Sequence, residues 1–328
     1  ETRINEIQTL ASEQFVNVSS LLDSLCEHLT EEVRFDMDLA AKVRAVASSL
    51  DFEPLESCCV INSLENMSIE LKLKNIKTEN LKGLLRQIEI LTNKKFEFPE
   101  IINYEDFVTL VFKEKADFNV TSAAVQFTKQ GEKYSGDTYS TFTDDNGIFY
   151  CVICDGMGTG TKAAIGSNLA VSLLEKLIKA GFGVTSAINT VNTSLISKSG
   201  DECSVTLDLI AIDLFTGHIE FYKCGAQDTV VRKNKRIHFI NSPSLPLGII
   251  KDSEIANGNG TVSSGDVIIM ASDGVNNEDL ILIENELRYF NNENVRAFTE
   301  NLSEKIREYQ NNKSDDLTLI TLVLNKNE

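Results

Sequence analysis

The spacing of hydrophobic residues along the chain predicts three successive regions. In the first thirty-odd residues, apolar side chains recur at steps of three and four, which is the period of one helix face. They are Ile4, Ile7, Ala11, Phe15, Val18, Leu22, Leu25 and Leu29. This heptad-like seam predicts a long helix within residues 1–37. Such a helix either packs on its own domain or serves as a linker that pairs with a second copy, giving a homodimer.

The second region, residues 38–115, has the pattern of a small α+β domain near the lower size limit for independent stability. The predicted elements are a helix from Asp38 to Leu50, strands at 57–63 and 67–73, a helix from Thr78 to Thr92 with Thr78 as its N-cap, and a strand at 103–113. No constellation of catalytic residue types occurs in this region.

The third region, residues 116–328, is rich in strands. We predict strands at 120–127, 148–154, 205–213, 218–224, 228–232, 236–240, 266–271 and 317–324, and helices at 162–180, 185–197 and 295–310. Strands in antiparallel hairpins, with helices gathered in blocks, indicate an α+β sandwich rather than an alternating parallel sheet.

Composition narrows the function classes. The 328 residues include 49 acidic and 31 basic side chains, for a formal charge of −18, which disfavours nucleic acid and anionic membranes as partners. Seven cysteines, an odd number, fit a reducing cytosol better than a secreted disulfide framework. No apolar run approaches the ~20 residues that span a bilayer. Because the sequence begins at Glu1, we expect a fragment on the cytoplasmic side, anchored to a membrane only through segments upstream.

Candidate chemistry lies at the ends of predicted strands. Two strands stop on an Asp-Gly pair, at Asp155 and at Asp273, and the last strand follows Asp315 and Asp316 directly. Asp137 closes a Ser-Gly-Asp tripeptide between the strand at 120–127 and its expected hairpin partner. A glycine after the aspartate lets the backbone turn sharply and brings a carbonyl close to whatever the carboxylate binds.

Clustered, buried carboxylates persist in the ionised form only if cations neutralise them. All-oxygen ligands favour Mg²⁺ or Mn²⁺, and with only three histidines in the chain a His-based zinc site has no support. Two such ions are a known means of hydrolysing a phosphoester without a protein nucleophile. Each Asp-Gly pair alone is more often just a turn, so the prediction depends on their conjunction.

The segment from Gly156 to Gly160 permits a different interpretation, because glycines that open a helix can cradle the phosphates of a nucleotide, as in a kinase. The segment lacks the GxxxxGK[ST] spacing, since Lys162 is followed by Ala163, and it also lacks GxGxxG. As a nucleotide motif it is weak, and it fits better as a flexible lead into the following helix.

Six motifs together resemble the metal-dependent protein phosphatases (PPM, type 2C), and more narrowly the stage II sporulation protein E family within them. They are Ser135-Gly-Asp137, Asp155-Gly-Met-Gly-Thr-Gly160, Thr206-Leu-Asp-Leu, Leu245-Pro-Leu-Gly248, Ser272-Asp-Gly274 and Asp315-Asp-Leu-Thr318. The likeness covers about residues 116–325. It implies an αββα sandwich phosphatase domain at 116–328, preceded by a linker helix at 1–37 and a regulatory domain at 38–115.

The resemblance also implies a site and a reaction. Asp155 would bridge two Mn²⁺ or Mg²⁺ ions, Gly156 would ligate through its carbonyl, and Asp137, Asp273 and Asp315 would complete the shell, with Asp316 as an alternative to Asp315. The attacking group would be a metal-bridging water, and the substrate a phosphoserine or phosphothreonine on a protein. In the sporulation branch that protein is a phosphorylated anti-anti-sigma factor, whose dephosphorylation activates a sigma factor.

The sequence departs from the eukaryotic pattern of this family in two places. The stretch from Cys224 to Gln227 lacks the aspartate of a Gly-Asp-Ser motif, and no arginine precedes Asp137 in the position of a phosphate clamp. These departures leave open how the substrate phosphate is held. The alternative function is a catalytically weak signalling or scaffold module that acts through its regulatory domain and helix.

Overall fold

The computed structural model describes residues 33–158, 160–197, 204–241, 243–250, 254–310 and 315–327, together with residues 19 and 22. The described chain falls into two compact units, a small one that ends at Ala116 and a large one that begins at Asp117. The long helix predicted for residues 1–37 lies almost entirely outside the described residues. Arg34 and Phe35, at its predicted end, instead form a two-residue strand.

The small unit is a five-stranded antiparallel sheet with two helices. Its elements are β1 (Arg34–Phe35), α1 (Met37–Ser49), β2 (Pro54–Ile61), β3 (Met67–Leu73), α2 (Leu81–Thr92), β4 (Glu100–Asn103) and β5 (Val108–Lys113), with the strands in the order β1-β2-β3-β5-β4. Alternate residues of β3 and β5 are buried and form one hydrophobic core with the apolar faces of both helices.

Two expectations for the small unit were wrong in detail. Thr78 does not cap α2, because Thr78–Asn80 form a 3₁₀ turn that precedes it. The strand predicted over 103–113 is strand only from Val108, as β5, while Asn103 ends β4. Between them lies a tight turn, closed by a bond from the backbone N–H of Tyr104 to the carbonyl of Phe107.

The large unit contains ten strands and four helices among its described residues. They are β6 (Phe118–Phe127), β7 (Asp137–Thr143), β8 (Ile148–Asp155), α3 (Thr161–Lys179), α4 (Val184–Ser197), β9 (Leu207–Asp213), β10 (His218–Cys224), β11 (Thr229–Lys233), β12 (Arg236–Ile240), β13 (Ala256–Thr261), β14 (Val267–Ala271), α5 (Asn277–Tyr289), α6 (Val295–Tyr309) and β15 (Leu317–Lys326).

These elements form an αββα sandwich, which confirms the predicted fold class. One antiparallel sheet has the order β13-β10-β9-β8-β7 and the other the order β12-β11-β14-β15-β6. The inner faces pack on each other in a core of aliphatic and aromatic side chains. Helices α3 and α4 cover the outer face of the first sheet, and α5 and α6 cover the outer face of the second. Cys151 belongs to the inner core and Cys154 to the outer one, so strand alternation separates this Cys-x-x-Cys pair.

Three features of the large unit differ from the sequence predictions. Strand β6 has no hairpin partner in β7; it pairs with β15 at the other end of the chain, and β7 lies in the opposite sheet. Strand β13 carries two glycines and two asparagines, which hid it. Helix α5 was missed although Asn276 caps it in a capping box and Leu280, Ile283 and Leu287 form its buried stripe. Of the helices that the structure describes, none is long and apolar enough to cross a membrane.

Candidate metal and phosphate site

The predicted aspartates come from both sheets of the sandwich. Asp137 is the first residue of β7 and Asp155 the last residue of β8, and the two are paired directly in the antiparallel ladder. Asp273 follows β14, and Asp316 precedes β15. The hydroxyl of Thr318 in β15 donates to Oδ2 of Asp137 at 2.7 Å, which joins the two sheets at this end.

Asp137 is the most enclosed of these carboxyls, with 4% of its surface exposed. Its Oδ1 atom is buried and has no hydrogen-bond partner among the described residues. Burial raises the pKa of Asp137, and the hydroxyl of Thr318 partly offsets that rise. An orphaned buried carboxylate oxygen costs free energy that a positive ligand would recover.

Asp155 lies between Asp137 and Asp273. Burial, followed by the charges of Asp137 and Asp273, raises the pKa of Asp155 from 3.8 to about 9. Its carboxyl is close enough to those of Asp137 and Asp273 for both to raise its pKa. Without a cation, at least one proton is therefore held among these three carboxyls at neutral pH.

The turns that follow Asp155 and Asp273 require glycine. A Cβ atom on Gly156 would lie 2.1 Å from the carbonyl oxygen of Ala163, at the start of α3. A Cβ atom on Gly274 would lie 2.0 Å from the carbonyl oxygen of Asp316. The two Asp-Gly pairs therefore let backbone segments approach closely beside the carboxyls, as expected from their sequence.

Asp315 and Asp316 have different surroundings. Both oxygens of Asp316 accept backbone N–H groups, Oδ1 from Lys129 at 2.8 Å and Oδ2 from Gly136 at 2.6 Å. Asp315 is more exposed and forms an ion pair with the ammonium of Lys129 at 3.0 Å. Asp316 thus binds two backbone N–H groups of another segment, whereas Asp315 binds the side chain of Lys129 and accepts the backbone N–H of Asp316 at 3.0 Å. The choice between them as a ligand stays a prediction.

Within the described residues, no three His, Cys, Asp or Glu side chains already surround one point as in a metal centre. The donor chemistry nevertheless fits a hard divalent cation, because the grouped atoms are carboxylate and carbonyl oxygens. The orphaned Oδ1 of Asp137 and the raised pKa of Asp155 are both features that a cation at this position would relieve.

The residues that support these aspartates were not predicted from the sequence. Gln126 donates from its side-chain amide to the carbonyl of Asp137 at 3.0 Å and to the hydroxyl of Thr318 at 3.1 Å. The hydroxyl of Thr206 accepts the backbone N–H of Asp155 at 3.1 Å. Thr206 and Thr318 stand in motifs that carried the resemblance, so a signal for them existed. Gln126 is an exposed residue of β6, and no sequence motif pointed to it.

Comparison with known proteins identifies the family. The family model described as Stage II sporulation protein E (SpoIIE) matches residues 145–325, more than half of the chain. The chain belongs to the SpoIIE family. It is 24% identical to stage II sporulation protein E of Bacillus subtilis (strain 168) over 343 aligned positions, which cover 99% of this chain and 41% of that protein.

A second SpoIIE relative, from Priestia megaterium, is 33% identical over 156 residues, 48% of this chain and 27% of the relative. The chain therefore spans less than half the length of the curated SpoIIE proteins it matches. A solved structure of the PP2C phosphatase domain of Bacillus subtilis SpoIIE, with a fragment of its regulatory domain, superimposes with a TM-score of 0.69 at 22% identity. It covers 100% of this chain and 99% of that one.

RsbX in complex with magnesium has the same fold as the large unit of this SpoIIE family member. The TM-score is 0.52 at 21% identity, over 69% of this chain and 99% of RsbX. A SpoIIE phosphatase domain crystallised without domain swapping matches at 26% identity with a TM-score of 0.51, over 65% of this chain and 96% of that one. These likenesses establish a PP2C-type phosphatase fold.

Proposed function

We propose that this chain is a metal-dependent protein phosphatase that hydrolyses phosphoserine or phosphothreonine on a protein. The observation that carries the proposal is the group formed by Asp137, Asp155 and Asp273 at one end of the sandwich. There the pKa of Asp155 is raised to about 9 by burial and then by the other two carboxyls. A site that concentrates negative charge in this way fits a divalent cation.

Asp137, Asp155 and Asp273 would hold the metal, together with the carbonyl of Gly156 and the carboxylate of Asp315 or, alternatively, Asp316. We propose Mn²⁺ or Mg²⁺ and two ions, in line with the magnesium in the RsbX structure. When bound, such ions activate water and neutralise phosphate oxygens. The protein's own groups orient the ligands, since Thr318 fixes Oδ2 of Asp137 and leaves Oδ1 available.

The biological role we propose is dephosphorylation of an anti-anti-sigma factor, which activates a sporulation sigma factor. Membership in the SpoIIE family supports it, as does the description of the Bacillus subtilis relative as a cell fate determinant. Residues 38–115 would be the regulatory domain and residues 1–37 a linker helix that forms a homodimer. The chain would act on the cytoplasmic side of a membrane, with any anchor in other parts of a longer protein.

The test is hydrolysis of an aryl phosphate and of a phosphoserine protein, with and without Mn²⁺. We expect turnover only with metal, and none in Asp155→Asn. The matched control is Asp145→Asn, in an exposed hairpin turn, which should leave activity unchanged. Full activity in excess chelator, or in Asp155→Asn, would refute the proposal.

A non-catalytic signalling module is the second candidate. It is favoured by the finding that, in the described chain, no three metal-binding side chains already surround one point. Calorimetric titration separates the two candidates, since a signalling module with a vestigial site would bind no Mn²⁺. Binding of Mn²⁺ that is lost in Asp155→Asn would favour the phosphatase.

A further inference from the structure

The loop of residues 128–136, the bridging loop, joins β6 in one sheet to β7 in the other. One carboxylate fixes both of its ends, because Asp316 accepts the backbone N–H of Lys129 at 2.8 Å and that of Gly136 at 2.6 Å. These bonds use main-chain atoms, so the side chain of Lys129 can form a separate contact. They hold the backbone of Lys129 beside the carboxylate of Asp316.

The side chain of Lys129 binds Asp315. Its ammonium lies 3.0 Å from Oδ1 and 3.1 Å from Oδ2 of that residue. Both side chains are partly exposed, at 38% for Lys129 and 56% for Asp315. Exposed ion pairs of this kind are weak, and a divalent cation competes readily for the carboxylate. Lys129 therefore occupies a predicted metal ligand with a bond that is easily exchanged.

Phosphate oxygens also bind cationic side chains, whose charge-assisted hydrogen bonds add to the effect of a metal. The segments that carry the predicted ligands, residues 128–137, 155–162, 271–275 and 315–317, contain no arginine; their only lysines are Lys129, Lys133 and Lys162. Lys133 is exposed and lies over the ring of Tyr134, 5.2 Å from its centroid. The ammonium of Lys129 lies against a predicted ligand, Asp315.

We propose that Lys129 exchanges between two partners. In the metal-free protein its ammonium neutralises Asp315. If Asp315 instead held a divalent cation, the ammonium of Lys129 would be free to bind the phosphate group of the substrate. This inference rests on the proposed phosphatase function. The exchange gives metal and phosphate binding opposite dependences on one side chain.

The experiment compares Lys129→Gln with Lys133→Gln in the full chain, since both remove one positive charge from the same loop. Calorimetric titration with Mn²⁺ should show binding about two- to fivefold tighter in Lys129→Gln, because a competing cation is gone. Titration of the Mn²⁺-loaded protein with inorganic phosphate should show binding about tenfold weaker. Lys133→Gln should change neither constant beyond twofold, and Lys129→Arg should restore phosphate binding.

Each outcome decides the proposal. Tighter metal binding with unchanged phosphate binding would overturn the phosphate role, and unchanged or weaker metal binding would overturn the exchange. If the unaltered chain hydrolyses an aryl phosphate with Mn²⁺ and Lys129→Gln matches it in both titrations, only this inference fails. If the unaltered chain binds no Mn²⁺, the proposed function fails and the exchange falls with it.

Discussion

Replacement of Asp155 by Asn should stabilise the metal-free protein while it removes the metal site. The carboxyl of Asp155 is crowded by burial and by Asp137 and Asp273, which raise its pKa from 3.8 to about 9. Between those two pH values the folded chain holds a proton that the unfolded chain releases. The free energy of unfolding therefore falls as pH rises through this window, and below pH 3.8 the penalty is absent.

The size of the effect follows from the pKa. From 3.8 to pH 7 is about three units, and each unit corresponds to 1.36 kcal/mol, so the penalty has a ceiling of about 4 kcal/mol. Asn does not titrate, and its amide can donate to the carboxylates of Asp137 and Asp273. For a unit of this size, 1 kcal/mol moves the midpoint by about 2–4 °C, so Asp155→Asn should melt about 5–15 °C higher at pH 7.

The assay is thermal unfolding in chelator from pH 5 to pH 8, with Asp145→Asn as the matched control in an exposed turn. The gain in Asp155→Asn should shrink as the pH falls toward 5, whereas the control should follow the unaltered protein. Added Mn²⁺ should raise the midpoint of the unaltered protein and not that of Asp155→Asn. A variant that is less stable than the unaltered protein at pH 7, or a gain that does not depend on pH, would refute this reasoning.

Three further substitutions test other parts of the large unit. Gly156→Ala should lower the melting temperature and the Mn²⁺ affinity, because its Cβ meets the backbone of α3. Gly183→Ala, with open space around it, should leave the Mn²⁺ affinity unchanged. Lys223→Met should cost about 3–5 kcal/mol in denaturant unfolding, since it strands Asp208, its partner at 2.6 Å, with both side chains 2% exposed. Gln227→Leu should weaken Mn²⁺ binding about tenfold in calorimetry, because it loses the bond to the carbonyl of Val275 that holds the turn after Asp273. For each substitution, an unchanged melting temperature, free energy of unfolding or Mn²⁺ dissociation constant would contradict the role given to that contact.

The sequence predicted elements well where their hydrophobic period was regular. Helices α3, α4 and α6 came within about a residue of their bounds, because each buries an apolar stripe over three turns or more. Which strands pair with each other was harder to predict from the sequence. The partner of β6 is β15, nearly two hundred residues away, and no local pattern encodes which strands meet at such a separation.

The candidate site shows the same contrast between local features, which the sequence predicts, and long-range contacts, which it does not. Asp-Gly pairs at strand ends are local, and Asp137, Asp155 and Asp273 do come together as the conjunction of motifs predicted. The pairing of Asp315 with Lys129, by contrast, depends on the path of the bridging loop between sheets. Contacts of this kind are set by the packing of the whole sandwich, so sequence patterns do not reveal them.

The arrangement of Asp137, Asp155 and Asp273 explains why metal binding and the stability of the fold should depend on each other. Gln126 and Thr318 belong to the second sheet and bind Asp137 of the first, so the sheets are joined beside the candidate ligands. Asp155 is contributed by the first sheet, and Asp273 follows a strand of the second. A cation held by both would replace repulsion across the sheet interface with attraction. The carboxyls should thus weaken this end of the sandwich without metal and tighten it once metal is bound, so metal occupancy should set the stability of this end.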